Sequence, residues 1–197
     1  MRVLMTASLV LGLAGAAMAQ TVDLKVGDQA PNFKLEATDG KTYQLSDFKG
    51  KQAVVLAWFP AAFTRGCTIE CKSLAENGDK IKMYDVSYFM ASVDPIEKNI
   101  EFAKAKSVTL GQGANATVVE KKEADFPLLS DPTKKIAKAY GVVDEDQPFA
   151  SRWTFYIGTD GRILYIDKQV SPANHGKTIA AKLAELGVAR RRPGQKP

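Results

Sequence analysis

The twelve residues Pro60 to Cys71, PAAFTRGCTIEC, hold both cysteines of the 197-residue chain. Cys67 and Cys71 are therefore the side chains to consider first for nucleophilic or redox chemistry. A cysteine does such work as the thiolate, so its electrostatic setting decides whether it reacts. From Thr68 to Tyr84 the apolar residues Ile69, Leu74, Ile81 and Tyr84 stand among Glu, Lys and Asp, which suits a helix with one covered side despite Asn77 and Gly78. That spacing predicts Cys67 at or near the first turn of a helix. Free backbone N–H groups and the positive end of the helix dipole favour an anion there, and Arg65 adds a cation two residues earlier. The expectation is a thiol that ionises more readily than a free cysteine.

Other elements must bring the thiol to that place. Ala53-Val-Val-Leu-Ala-Trp-Phe59 is continuous apolar sequence of strand length, as expected for a strand covered on both faces. Pro60 ends it, because proline has no N–H to give to a sheet. A strand, a tight loop and a thiol at a helix N-terminus form an arrangement that presents a nucleophile.

The rest of the chain reads as one domain behind a leader. Residues 1–19 combine Arg2, an apolar run from Val3 to Ala16 and the cleavage pattern Ala17-Met18-Ala19, which predicts a secretory signal peptide. The run is too short and wrongly flanked for a membrane span, so no stable membrane insertion is expected. Export would place the protein in the periplasm or outside the cell, an oxidising setting for two cysteines. The formal charge of +5 includes Arg2, and no basic stripe is interleaved with aromatics, which argues against nucleic acid as a partner.

Residues 20–189 then alternate strands and helices. Asp39-Gly40 between Phe33-Lys-Leu-Glu and Thr42-Tyr-Gln-Leu45 predicts an N-terminal β-hairpin with a two-residue turn. Val86 to Val93 reads as a second apolar strand, and Asp94-Pro95 as the cap of a helix running to about Lys106. An insert at 107–123 reads as a loop or short hairpin before a strand at Phe126 to Ser130. Asp131-Pro132 caps a short helix from Thr133 to Tyr140, and Gly158-Thr-Asp-Gly161 joins two late strands. A last helix is expected from about Ala173 to Leu186, and residues 190–197 as a disordered basic tail. The order fits an α/β fold, a central mixed sheet with helices on both faces.

The spacing Pro60-x-x-x-Thr64-x-x-Cys67 resembles the active-site signature of the peroxiredoxins, the alkyl hydroperoxide reductase/thiol-specific antioxidant family. APNFKLEATDGKTYQLSDFKGK resembles their entry segment. The resemblance implies a thioredoxin-like fold over nearly all of residues 20–187 and a thiol peroxidase without cofactor or metal. Carried over residue by residue, it makes Cys67 the thiolate that attacks a peroxide, Thr64 a hydrogen-bonding partner of the substrate oxygens, and Pro60 a shield against water. Arg152 in FASRWTFYIG stands where the family places an arginine. Arg65 departs from the pattern, since many relatives carry proline or an apolar residue there. The implied partners are a peroxide and a thioredoxin-like or other thiol reductant, for a monomer or homodimer.

Cys71 leaves two readings open. Oxidised Cys67 condenses with it to an intramolecular disulfide, or Cys71 packs and an external thiol resolves Cys67. In an intact helix, Cβ atoms four residues apart sit roughly 5–6 Å from each other, against the roughly 3.5–4.5 Å a disulfide needs, so the first turn would have to melt. Two rival functions share the fold. C-x-x-x-C resembles the copper chaperones of the Sco type, but their ligand histidine would lie near Ser151-Arg152-Trp153, whereas the single histidine is His175. It reads as a solvated residue at the start of the last helix. An exported thiol-disulfide oxidoreductase would carry C-x-x-C, one residue shorter.

Overall fold

The structure, a computed structural model, describes residues 22–144 and 146–192. The expected signal peptide and residues 193–197 lie outside the described residues. In chain order come β1 (Lys34–Ala37), β2 (Thr42–Gln44), β3 (Ala53–Trp58), α1 (Arg65–Lys82), β4 (Val86–Ser92), α2 (Ile96–Lys104) and β5 (Ser107–Leu110). They are followed by β6 (Thr117–Glu120), β7 (Leu128–Ser130), α3 (Lys135–Ala139), β8 (Thr154–Ile157), β9 (Ile163–Asp167) and α4 (His175–Glu185).

Seven strands form one mixed sheet in the order β2-β1-β7-β4-β3-β8-β9, and β5 and β6 pair separately as a hairpin. β3 runs parallel to β4 and antiparallel to β8, so it has a neighbour on both edges. It is also covered on both faces. Ala53, Val55 and Ala57 join the core beneath α1, α2 and α4, while Val54, Leu56 and Trp58 join the core beneath α3 and the N-terminal segment. A strand buried twice over has no polar position to spare, which is why its sequence does not alternate.

Several boundaries differ from expectation for physical reasons. α1 begins at Arg65, three residues before Thr68, because Thr64 already stands in extended conformation at the N-cap position. Gly78 is not a weak point but a gap kept for packing, since a Cβ there would stand 3.0 Å from the Tyr88 hydroxyl. Asn77 bonds the Ser73 carbonyl at 2.9 Å, so it too is satisfied inside the helix. The first hairpin closes through residues 38–41 rather than a two-residue turn, with Gly40 at φ 79. Asp94 does not cap α2, and its carboxylate turns instead to the loop that precedes Cys67. Asp131 does behave as expected, accepting the Ile136 and Ala137 N–H groups at 2.8 Å each. The end of the chain is held further than expected: Arg191 N–H donates to the Met83 carbonyl at 2.8 Å, and the Arg190 guanidinium lies over the Tyr84 ring.

Candidate active site

β3 delivers the chain to the site, and the ladder ends where proline begins. Phe59 N–H still donates to the Ala91 carbonyl at 2.9 Å, after which half-buried Pro60 has no N–H to continue. The next turn is fixed from two sides. Asp94 Oδ2 accepts the Ala62 N–H at 2.8 Å, and the Phe63 ring packs edge-on against Phe102, ring centroids 5.3 Å apart. Phe63 takes φ 65, a left-handed conformation that a bulky residue adopts only where its surroundings enforce it. α1 then starts, and Cys67 is its third residue.

Cys67 is fully buried, and Arg152 Nη2 lies 3.3 Å from its Sγ. Gly66 makes room for that approach, since a Cβ on it would stand 3.0 Å from Arg152 Nη2. The sulfur thus has a fixed cation on one side and the N-terminal turn of α1 behind it.

Thr64 is exposed, and its hydroxyl donates to the Ala61 carbonyl at 3.0 Å rather than capping α1. Having given its proton inward, that oxygen keeps its lone pairs to accept a hydrogen bond from outside. Exposed Arg65 is the first residue of α1. Cys71 is fully buried one helical turn beyond Cys67, and both cysteines are free thiols. Burial pushes the Cys71 thiol up to about 11, with the charge of Lys121 opposing and that of Cys67 adding to the rise.

The structure adds residues that sequence reasoning missed. The Glu70 side chain is 0% exposed and accepts a charge-assisted hydrogen bond from Arg152 Nη1 through Oε2. Its other oxygen, Oε1, lies 2.8 Å from His175 Nδ1. The two atoms are in close polar contact without a formal hydrogen bond, neither has a hydrogen-bond partner among the described residues, and a carboxylate oxygen and a ring nitrogen buried this close leave no room for water between them. His175 Nε2 stands 2.9 Å from the Thr154 hydroxyl. His175 is therefore not a solvated helix-start residue. It is 1% exposed because α4 packs its first turn directly on α1.

A signal for Glu70 was available, since a residue three beyond Cys67 shares its side of a helix. Thr154 follows Arg152 by two along an extended stretch, which sends both side chains to the same face. Nothing local in the sequence points to His175, which arrives from a separate element. Burial pushes its imidazole down to about 4, with Asp167 pulling upward and Arg152 pushing the same way as burial.

Comparison with known proteins agrees with this geometry. The family model described as AhpC/TSA family matches residues 26–166. The chain is 32% identical over 168 residues to Peroxiredoxin Bcp of Escherichia coli strain K12, an alignment that covers 82% of this chain and 97% of that one. Among solved structures, Peroxidoxin BcpB from Mycobacterium tuberculosis superposes with a TM-score of 0.68 at 28% identity, over 83% of this chain and 98% of the other. The bacterioferritin comigratory protein of Xanthomonas campestris, studied for alkyl peroxide reduction, has a TM-score of 0.64 at 19% identity over 78% of this chain and 90% of its own, a likeness of fold. A thioredoxin-like sheet, a cysteine at the head of its first long helix and a match over most of the length make one conclusion. The chain belongs to the AhpC/TSA family, the peroxiredoxins, and is a thiol peroxidase.

Proposed function

We propose that the Cys67 thiolate attacks the terminal oxygen of a hydroperoxide and is itself resolved by Cys71. The O–O bond breaks as the S–O bond forms. The sulfur loses two electrons and becomes a sulfenic acid, and the departing oxygen leaves with a proton as water or an alcohol. Charge builds on that leaving oxygen, and a donor fixed beside it stabilises the transition state by about 3–4 kcal/mol. The single observation that carries this reading is Arg152 Nη2 at 3.3 Å from Cys67 Sγ, close enough to serve both the sulfur and an oxygen bonded to it. Thr64 accepts the proton-bearing end of the peroxide, and Pro60 limits water at the sulfur.

In the second step the Cys71 sulfur displaces water from the sulfenic acid, forming the disulfide. Cys71 is fully buried and α1 is continuous across both cysteines, so the start of the helix must open before the sulfurs meet. An external dithiol, a thioredoxin-like protein in this reading, then returns two electrons. The N-terminal sequence supports an exported enzyme. The copper-chaperone reading lacks support, since the only histidine has both ring nitrogens facing Glu70 and Thr154.

Peroxide consumption with hydrogen peroxide and an organic hydroperoxide, using a dithiol reductant, tests the reading. Wild type consumes peroxide and, treated with one equivalent, loses two free thiols within one chain. Cys67→Ser abolishes consumption. Cys71→Ser accumulates a sulfenic acid that dimedone traps. Consumption that survives Cys67→Ser sinks the assignment, and unchanged turnover in Cys71→Ser sinks the resolving role.

A further inference from the structure

Arg152 can act on the Cys67 sulfur only if something holds its guanidinium there, and the chain of polar contacts behind it runs through Glu70 to His175. We propose that neutral His175 is a positioning residue: its Nδ1–H orients the Glu70 carboxylate, which in turn holds Arg152 against the Cys67 sulfur. This rests on Cys67 being the attacking thiolate.

The geometry carries the inference in three links. Arg152 bonds Glu70 Oε2 through Nη1 and faces Cys67 Sγ at 3.3 Å through Nη2. A guanidinium is a rigid planar fork, so the direction of the first arm sets the direction of the second. The first arm follows the plane of the Glu70 carboxylate, and that plane is free to turn unless its other oxygen is also engaged. His175 Nδ1, 2.8 Å from Oε1, supplies this engagement. Oε1 is buried and His175 Nδ1 is the polar group recorded against it, so removing the imidazole leaves a buried acceptor with no donor in reach, which costs about 1–3 kcal/mol and favours rotation of the carboxylate.

The ring is prepared for the task. The Thr154 hydroxyl lies 2.9 Å from Nε2, and in the tautomer proposed here it donates to that nitrogen, which leaves the ring proton on Nδ1 toward Glu70. The close approach of α4 is equally specific. Gly176 N–H donates to Ser73 Oγ at 3.1 Å, and any Cβ on Gly176 would overlap the Ser73 carbonyl oxygen. The charged groups facing the imidazole are Glu70 from α1, Arg152 from the start of the β8 segment and Asp167 from β9. Arg152 already opposes the single charge of Glu70, so a second cation on His175 would gain little, and burial keeps the ring neutral.

The test compares His175→Ala, His175→Asn and Thr154→Val with wild type. The first readout is the pH profile of Cys67 alkylation by iodoacetamide, assigned by peptide mass spectrometry. The second is the rate constant for oxidation by hydrogen peroxide, and thermal unfolding is followed in parallel. In His175→Ala the alkylation profile moves to higher pH and the peroxide rate falls about tenfold, the factor that one pKa unit represents. His175→Asn, whose amide N–H reaches the place of Nδ1–H, restores most of both. Thr154→Val shifts both in the same direction by a smaller factor. Equal losses in His175→Ala and His175→Asn would overturn the proposal, as would a variant that melts earlier with an unchanged profile and rate. If His175→Ala does not fold, an unaltered profile in Thr154→Val overturns it instead. A wild type that consumes no peroxide defeats the proposed function, while the alkylation profiles still decide the role of His175.

Discussion

Cys67 and Cys71 lie one helical turn apart in opposite electrostatic settings. Cys67 faces a guanidinium at 3.3 Å, whereas Cys71 belongs to the same apolar core as Leu74, Phe102 and Ala103, and burial pushes its thiol up to about 11. The difference orders the chemistry, because the first sulfur lies beside the donor that can serve an attacked peroxide, while burial opposes ionisation of the second. Lys121 is the positive charge that opposes the rise at Cys71. It is itself buried, lies 5.3 Å from the centre of the Phe102 ring and donates to the Ala103 carbonyl at 3.2 Å. Lys121→Met keeps the bulk and removes the charge, so the Cys71 thiol is expected to rise further. The Cys67 sulfenic acid then persists about three- to tenfold longer, in line with up to one pKa unit. Rapid-quench trapping with dimedone measures that lifetime, and the initial rate of oxidation by peroxide should not change. At this scale the sequence was legible where types and spacing are local. Cys67, Cys71, Pro60 and Thr64 occupy one short stretch, whereas His175 lies more than a hundred residues from Cys67 and no pattern joins them.

Among the elements, α1 carries the site and α4 braces it. The two helices meet at Ser73, Asn77 and Gly176, where a glycine lets the backbones approach. Gly176→Ala places a methyl group against a backbone carbonyl, which cannot swing away as a side chain could. We expect a loss of about 1–3 kcal/mol in urea unfolding, together with slower oxidation of Cys67, because His175 moves with the helix. A stability loss without a rate loss would show that the brace and the site are uncoupled. The sequence indicated both helices, but their contact depended on a residue that reads as a helix breaker. The same holds for Gly78, whose missing side chain is space for Tyr88. The insert does form a short hairpin, β5 with β6, and its last residues bring Lys121 toward Cys71.

For the molecule as a whole, the buried imidazole predicts how stability depends on pH. His175 titrates near about 4 when folded, against 6.5 for the ordinary side chain. Between those values the unfolded chain binds a proton that the folded one does not, so stability is full above the upper value and falls as pH drops through the window. The slope approaches about 1.4 kcal/mol per pH unit for this one group. Urea unfolding at several pH values across the window measures it, and His175→Asn is expected to flatten the dependence there. A wild-type curve already flat across that range would mean that the folded ring charges as easily as a free one.

Periodicity and punctuation were enough to read the alternation of strands and helices, the doubly covered β3, the late hairpin and a thiol at the head of a helix. These follow from local rules, since side-chain spacing and proline act over a few residues. What only the tertiary structure decided is the chain of contacts from Thr154 through His175 and Glu70 to Arg152 and Cys67. Its members come from α1, α4 and the start of β8. Burying polar groups in one apolar core requires that they satisfy one another, and which ones meet is set by how the elements pack.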